Sequence, residues 1–423
     1  MDENSSAGET LPSALVLGID TGGTYTDAVL MEYYSRRVLA SHKSLTTKRD
    51  FSIGIEKVID GIHIDDPSAI KMVSVSTTLA TNAIAEGKGK RVALLLIGYD
   101  PELVANFKME RRFATPQFHY FQGGHDLYGR EKAELDLPAI LAQVNRIKDH
   151  TDALAVSSYF SPLNPEHENR VYNAVSRICD LPIVLGHQLS TKLGSVERAT
   201  TAALNASLLA VLQDFIIAVR RAMERRRIDA PLMVVRGDGT LMSDEFAART
   251  PVETIHSGPA AGIMGVLATA CIREDAVALD IGGTTTDIAV FADGVPLLEP
   301  TGVSISGRKT LIRGLYTKSI GVGGDSVVKI EKGDILIGPQ REGPAAALDG
   351  PFPTPTDAMI VEGIVHFGDY QKAQNAIALI AKKLHMSVQD AARAVVEKMA
   401  AMIADHVRLI LAEINNKPVY TIH

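Results

Sequence analysis

Cysteine is scarce in this chain: two among 423 residues, Cys179 and Cys271. They stand far apart and neither has a metal-ligand spacing. That argues against an iron–sulfur cluster, a disulfide scaffold and a cysteine zinc site, and fits a reducing cytoplasm. Excess positive charge is lacking as well. Lys and Arg number 43 against 50 Asp and Glu, leaving −7 at pH 7, which argues against a nucleic-acid surface. The one basic cluster, Arg220, Arg221, Arg225, Arg226 and Arg227, falls near the end of a predicted helix. Cations favour that end of the helix dipole, so a solvated helix terminus accounts for them. No apolar run approaches the length that spans a bilayer. Met1 to Pro12 is acidic and polar, without the positive flank of a secretory signal, and residues 1–13 read as a disordered tail.

What the chain does have is alternation. Strand and helix patterns succeed one another throughout, the signature of an α/β fold. Short apolar runs at Ala14–Ile19, Thr26–Met31 and Arg37–Ser41, joined by a glycine turn, predict a β-meander. Further strands are expected at Met72–Val75, Val92–Ile97, Ala153–Ser157, Ile183–Leu185 and Leu232–Val235. A long helix should run from Ser195, as N-cap, to about Arg227, with Glu197 in its first turn. It divides the chain into an N-terminal region, 14–194, and a C-terminal region, 195–423. Near the end, Ser387 reads as another N-cap. Val388, Ala392, Val395, Met399 and Met402 then step by threes and fours as a core stripe.

The chemistry sits in an internal echo. LGIDTGGTYTDAVL in the first half returns as ALDIGGTTTDIAV in the second, with Asp20 and Asp280 in matching places. In each copy a strand delivers an aspartate to a sheet end. Two glycines follow (Gly22 and Gly23; Gly282 and Gly283), letting the backbone approach a ligand closely. Successive backbone N–H groups in such a turn make a concave anion site, and Thr24, Thr26, Thr284 and Thr285 add hydroxyls. Asp20 and Asp280 suit magnesium, a hard ion that takes oxygen ligands. Neither loop has Walker or Rossmann spacing, and each is followed by a strand rather than a helix. A plain hairpin needs neither the acid nor the hydroxyls. Two more glycine segments join this set. Gly258 stands in HSGPAAG, ahead of a predicted helix whose N-terminus favours phosphate, and Gly323, Gly324 and Asp325 stand in GVGGDS. His119, His125 and Asp126 are a weaker candidate metal group.

These segments resemble the two phosphate motifs of the actin, hexokinase and heat-shock chaperone ATPases. More closely, the chain resembles the A subunit of the hydantoinase/oxoprolinase family, of the N-methylhydantoinase A type. The motifs that carry the likeness are GIDTGGTYTDAVL, STTLATNAI, GSVERATTAALNA, RGDGTLMS, TIHSGPAAGIMG and DIGGTTTDIAV, in order over roughly residues 15–420. The resemblance implies a two-lobed, ribonuclease H-like α/β fold with one phosphate loop per lobe, facing each other across a cleft. It implies Mg-ATP held by Asp20 and Asp280, with Thr21 among the phosphate-loop residues. Thr77, Thr78, Thr81 and Asn82 would approach the γ-phosphate or substrate, Thr78 and Asn82 as catalytic residues. The implied activity is ATP-dependent opening of a cyclic amide, or activation of a related carbonyl, by phosphorylation of the carbonyl oxygen. A B subunit or a homo-oligomer is the implied partner, with neither nucleic acid nor membrane. A small-molecule or sugar kinase, and a non-catalytic nucleotide-binding regulator, are the alternatives. Departures are the Lys318-Ser319 pair, where family members carry His-Thr, and alanines after Gly343-Pro344, where they often carry cysteine. The superfamily's closing strand and glycine-rich adenosine loop are not found before His423.

Overall fold

The computed structural model describes residues 14–23, 25–47 and 51–415. The expected N-terminal tail, Thr24 and the segment from Asn416 onward lie outside them. The chain folds as two compact units: one runs up to Ala261 and includes Glu299–Gly314, and the other comprises Gly262–Leu298 and the chain from Leu315.

In the first unit, strands β1 (Leu15–Thr21), β2 (Tyr25–Glu32) and β3 (Val38–Leu45) form the antiparallel meander that the sequence predicts. Helix α1 (Phe51–Asp60) follows, and β4 (Ile70–Thr77) then pairs parallel to β1. After α2 (Leu79–Ala85) the chain leaves this sheet to build another. Strands β5 (Val92–Ile97), β6 (Phe118–Phe121), β7 (Ala153–Ser158) and β8 (Ile183–Leu185) pair in parallel in the order β6-β5-β7-β8. Every residue of β5 and β7 is buried, as a parallel sheet covered on both faces requires. The intervening helices are α3 (Pro101–Asn106), α4 (Leu137–Ile147) and α5 (Glu166–Val175). The carboxylates of Asp100 and Asp136 cap α3 and α4, each with proline in the first turn.

Helix α6 (Ser195–Arg225) then returns the chain to the first sheet. Strand β9 (Leu232–Val235) pairs parallel to β4, and β10 (Leu241–Ser243) closes the order β10-β9-β4-β1-β2-β3. The sequence division at residue 195 is therefore not the boundary of a folding unit. Helix α6 belongs wholly to the first unit, because two sheets need it. Ala199, Ala202, Ala203 and Ala206 pack with β5 and β7 residues, while Leu212, Phe215, Ile216 and Val219 pack with Leu17, Ile19, Val73 and Val75. By length and composition alone α6 could cross a membrane, contrary to the sequence expectation that no segment approaches this. Its most apolar window is 67% buried inside the protein. The N-cap is Gly194 rather than Ser195. Three arginines of the basic cluster form ion pairs: Arg220 with Asp244 and Glu245, Arg225 with Glu56, and Arg226 with Asp60. Helix α7 (Asp244–Arg249) and the small hairpin Ser304–Lys309 complete the unit, and α8 (Ser257–Thr269) contains the boundary between the two units.

The second unit repeats the meander. Strand β11 (Ala276–Ile281) pairs antiparallel to β12 (Thr286–Ala292), which also pairs with β13 (Val295–Pro296) and with the strand Thr317–Ile320. Among the described residues no strand pairs with the other edge of β11. Helices α9 (Pro355–Val361), α10 (Tyr370–Leu384) and α11 (Val388–Asn415) supply the core against Ile288 and Val290. Ser387 accepts from Asp390 N–H at 3.0 Å, the expected cap, and Ala392, Val395 and Met399 are buried in this core.

Candidate phosphate-loop site

The two glycine loops share the same hairpin register. Asp20 stands opposite Asp27 across the first hairpin, and Asp280 opposite Asp287 across the second. Gly22 N–H donates to Tyr25 O at 2.9 Å, and Gly282 N–H to Thr285 O at the same distance. None of Gly22, Gly23, Gly282 and Gly283 has a left-handed φ. What glycine supplies here is room. A Cβ on Gly283 would lie 2.6 Å from Asp325 Oδ2, one on Gly22 3.0 Å from Tyr25 O, and one on Gly23 3.4 Å from Asn82 Nδ2.

In the first unit the aspartate and its loop are braced from three directions. Asp20 is exposed and accepts a 2.6 Å hydrogen bond from Ser76 Oγ on the neighbouring β4. Thr46 Oγ1 donates to Gly22 O at 2.9 Å and lies 3.0 Å from Thr26 Oγ1. Thr26 is therefore a buried brace, not a hydroxyl offered to a ligand, because β2 turns it inward. Thr21 is also buried, and its hydroxyl finds no partner among the described residues. Thr78 N–H donates to Thr21 O at 3.1 Å, tying the start of α2 to the loop. Asn82 lies one turn further on, its Nδ2 donating to Thr78 Oγ1 at 3.1 Å. Gly258 arrives from far along the chain. Ser257 Oγ bonds both Thr77 O at 2.9 Å and Thr77 N–H at 3.1 Å, and a Cβ on Gly258 would meet Thr78 Cγ2 at 3.4 Å. The structure thus brings Asp20, Gly22, Gly23, Thr78, Asn82 and Gly258 together around one loop. Gly258, which the sequence division assigns to the second region, belongs to the first. Thr24 lies outside the described residues.

In the second unit Thr284 is exposed and Thr285 half-buried, while Thr286 bonds Val322 O at 2.7 Å. Gly323, Gly324 and Asp325 join this loop as the sequence suggests. Gly324 N–H donates to Gly282 O at 2.9 Å and Asp325 N–H to Gly283 O at 2.7 Å. The Asp325 carboxylate pairs with Arg341 at 3.0 Å. Asp280 is exposed at the end of β11.

The second candidate group does not assemble. His119 reaches toward Gln143, and Asp126 caps its own turn and pairs with Arg130. His125 is fully buried, its ring 4.4 Å from that of His167, and burial holds its pKa below the ordinary value. His167 accepts from Gly124 N–H at 2.9 Å and faces Glu131 at 2.9 Å. Among the described residues no three His, Cys, Asp or Glu side chains converge on a metal position. In the RGDGTLMS segment Arg236 pairs with Glu253 at 2.7 Å, and Asp238 closes the turn onto Thr240. Burial raises the Glu253 pKa, with Arg236 opposing it. Sequence reasoning missed Thr46, Ser76 and Ser257 as braces of the loop. Ser257, beside the glycines, and Ser76, at the head of STTLATNAI, carry a local signal; Thr46 carries none.

A family model described as hydantoinase/oxoprolinase matches residues 198–419, and the model of that family's N-terminal region matches 16–179. The chain is 28% identical to the acetophenone carboxylase gamma subunit of Aromatoleum aromaticum, over 84% of this chain and 54% of that one. It is 26% identical to the caprolactamase subunit alpha of Pseudomonas jessenii, over 94% of this chain and 63% of that one. Among solved structures, acetone carboxylase in its nucleotide-free form aligns with a TM-score of 0.73 at 19% identity, over 95% of this chain and 63% of that one. The ATP-dependent caprolactamase of Pseudomonas jessenii aligns with a TM-score of 0.71 at 24% identity, over 91% and 62%. The chain spans between about half and two-thirds of the length of these relatives.

Proposed function

Because the chain belongs to the hydantoinase/oxoprolinase family, we propose that it serves an ATP-dependent enzyme that activates a cyclic amide or related carbonyl before ring opening. The observation that carries this reading is the repeated loop: the same aspartate, glycine pair and closing hydrogen bond in both units. The meander β3-β2-β1 with β4 and β9 added in parallel supports an actin-like lobe, and each loop would then offer a phosphate site. Bound ATP would supply the phosphoryl group and bound magnesium would neutralise its charge.

The residues fit such a ligand. Magnesium keeps several waters and is commonly held by one or two carboxylates together with phosphate oxygens. Asp20 and Asp280 each present one exposed carboxylate of this kind. Backbone N–H groups at Gly23 and Gly283 would bind phosphate oxygens, assisted by the Thr284 and Thr285 hydroxyls, while Gly22, Gly282, Gly323 and Gly324 shape the loops through N–H bonds made within the protein. Thr78 and Asn82 would orient the acceptor carbonyl. Ser76 positions Asp20 by holding one of its carboxylate oxygens. The names of the relatives, a gamma and an alpha subunit, support a partner subunit for this chain as well. A cytoplasmic location fits two free cysteines.

Product analysis tests the proposal. Purified protein, with a candidate partner subunit added where needed, should release ADP and phosphate with ring-opened product when given Mg-ATP and a cyclic amide. A stable phosphorylated product would mean a kinase instead. Nucleotide binding without turnover of any carbonyl substrate would mean a regulator.

A further inference from the structure

The turn Gly323-Gly324-Asp325 packs so closely on the second glycine loop that it delivers a charge there. A Cβ on Gly323 would lie 2.6 Å from Gly283 O, and Asp325 Oδ2 fills the space that a side chain on Gly283 would take. Asp280 already places one acid at this loop, so a polyphosphate bound there meets two negative charges. A cation stands against the second of them: Arg341 Nε and Nη2 donate to Asp325 Oδ2 at 3.3 and 3.0 Å. We infer that Arg341 is a phosphate-contacting residue of the second loop, that Asp325 positions it, and that the group it recognises is the polyphosphate chain of a nucleotide. The inference rests on the phosphate-loop reading and deepens it.

The fold fixes Arg341 from both sides. Two strands, Val328–Glu331 and Asp334–Ile337, form an antiparallel hairpin. Its arms stay in step beyond the strands: Gly338 N–H donates to Val327 O at 3.1 Å, and Val327 N–H to Gln340 O at 2.9 Å. The hairpin therefore returns Arg341 to Asp325, from which it set out. Further along, the buried Asp357 carboxylate accepts from Ala346 N–H at 3.0 Å and Ala347 N–H at 2.8 Å. A side chain anchored between two such points is preorganised for a ligand.

The donors are left over in the right number. A guanidinium carries five N–H groups in a rigid fork. Both bonds to Asp325 go to one oxygen, and among the described residues no hydrogen bond engages Arg341 Nη1. The side chain is 32% exposed, so an acceptor from outside can reach it. Reach follows from the contacts. Nη2 lies 3.0 Å from Asp325 Oδ2, which lies 2.6 Å from the Gly283 Cβ position. Two bonds of about 1.5 Å separate that position from the Gly283 nitrogen, which puts the guanidinium within about 9 Å of this N–H. Adjacent phosphates of one chain bridge such a span. The planar fork suits phosphate oxygens, whereas an exposed ion pair by itself adds little to stability.

Calorimetric titration of the full chain with magnesium, and with either a non-hydrolysable ATP analogue or inorganic tripolyphosphate, tests this. Arg341→Gln should weaken both ligands by about tenfold or more, as loss of a charge-assisted hydrogen bond implies. The factor should be similar for the two, because the contact is to phosphate and not to base or sugar. The salt dependence of tripolyphosphate affinity should also flatten, with one cation fewer facing the ligand. Arg341→Lys keeps the charge; it should keep the salt dependence and bind with intermediate affinity. Asp325→Asn supplies a sign. Removing an acid that only repels phosphate raises affinity, whereas removing the group that aims Arg341 lowers it, and a lower affinity is expected. Tripolyphosphate binding unchanged in both Arg341 variants, or a loss confined to the ATP analogue, would overturn the assignment of Arg341. Unchanged or higher affinity in Asp325→Asn would overturn the positioning role. If the parent protein binds neither ligand, the phosphate-loop reading itself falls; binding that is indifferent to Arg341 overturns only the part given to this residue.

Discussion

The same loop is built twice in this chain, and the two copies live in different surroundings. In the first unit β1 lies between β2 and β4, so Ile19 is 3% exposed and Thr21 1%. In the second, β11 has β12 on one side and no described strand on the other, and the matching Leu279 and Ile281 are 44% and 50% exposed. Hairpin register, glycine pair and closing hydrogen bond are nevertheless the same. The turn is therefore a local product of its own residues, whereas the burial of its flanking strand is set by neighbours far away in sequence. Function and stability separate along that line: the loops should be equivalent in chemistry and unequal in what they contribute to folding.

The sharpest way to break the equivalence is to remove the acids. Asp20→Asn and Asp280→Asn should each lower magnesium-dependent ATP cleavage by a factor of about 100 or more, as loss of a metal-positioning charge costs several kcal/mol. Near-normal turnover by a folded variant would show that its aspartate positions no catalytic magnesium. Stability should instead divide them. Ile19→Ala ought to cost about 2–5 kcal/mol as a large-to-small change in a packed core, while Leu279→Ala should stay below about 1 kcal/mol, as for a largely exposed site. Urea unfolding of both variants measures the contrast, and equal losses would mean that β11 is covered in solution.

A smaller difference is expected at the second glycines. Alanine at Gly283 must push Asp325 away from Arg341, whereas at Gly23 it meets only an ordinary contact with Asn82. Nucleotide affinity should fall about tenfold in Gly283→Ala, near 1.4 kcal/mol, and less in Gly23→Ala; titration that ranks them the other way would refute the role given to space. The smallest effect is on pH dependence in the first unit. Hydrogen bonds from the Arg91 side chain and backbone push the Asp152 pKa down to about 2 from 3.8. A depressed carboxyl stabilises the fold above its unfolded value and loses that contribution as pH falls from about 4 toward 2. Asp152→Asn should flatten the stability profile in that window by a modest amount, since the Arg91–Asp152 pair is solvent-exposed. An unchanged profile would count against the pair.

Much of this was legible in the residues. Strands Val92–Ile97, Ile183–Leu185 and Leu232–Val235 fall where the apolar runs place them, and the echo of Asp20 in Asp280 marks both loops. What the sequence hides is pairing at a distance. Nothing local says that Leu232 lies against Val73, or that a whole parallel sheet is inserted between α2 and α6. Helix α6 looks like a divider because it is apolar on more than one side, which is what packing on two sheets demands. The roles of single residues fail for a similar reason. Thr26 looks like a ligand hydroxyl until β2 turns it toward Thr46, and His119, His125 and Asp126 look like a group until the fold aims them apart.

The pairing of β4 with β9 has a consequence for how the protein is made. Val73 and its partner Leu232 are 232 − 73 = 159 residues apart. At a ribosomal pace of about 5–20 residues per second, β4 emerges roughly 8–30 s before the strand that will cover it. During that interval the nascent chain carries an uncovered parallel edge with Val73 and Val75, while the inserted sheet, its strands complete by Leu185, still waits for the α6 alanines that cover one of its faces. Synthesis order thus completes the strands of the inserted sheet before those of the sheet that carries the first glycine loop. That waiting edge is where a holding chaperone would act.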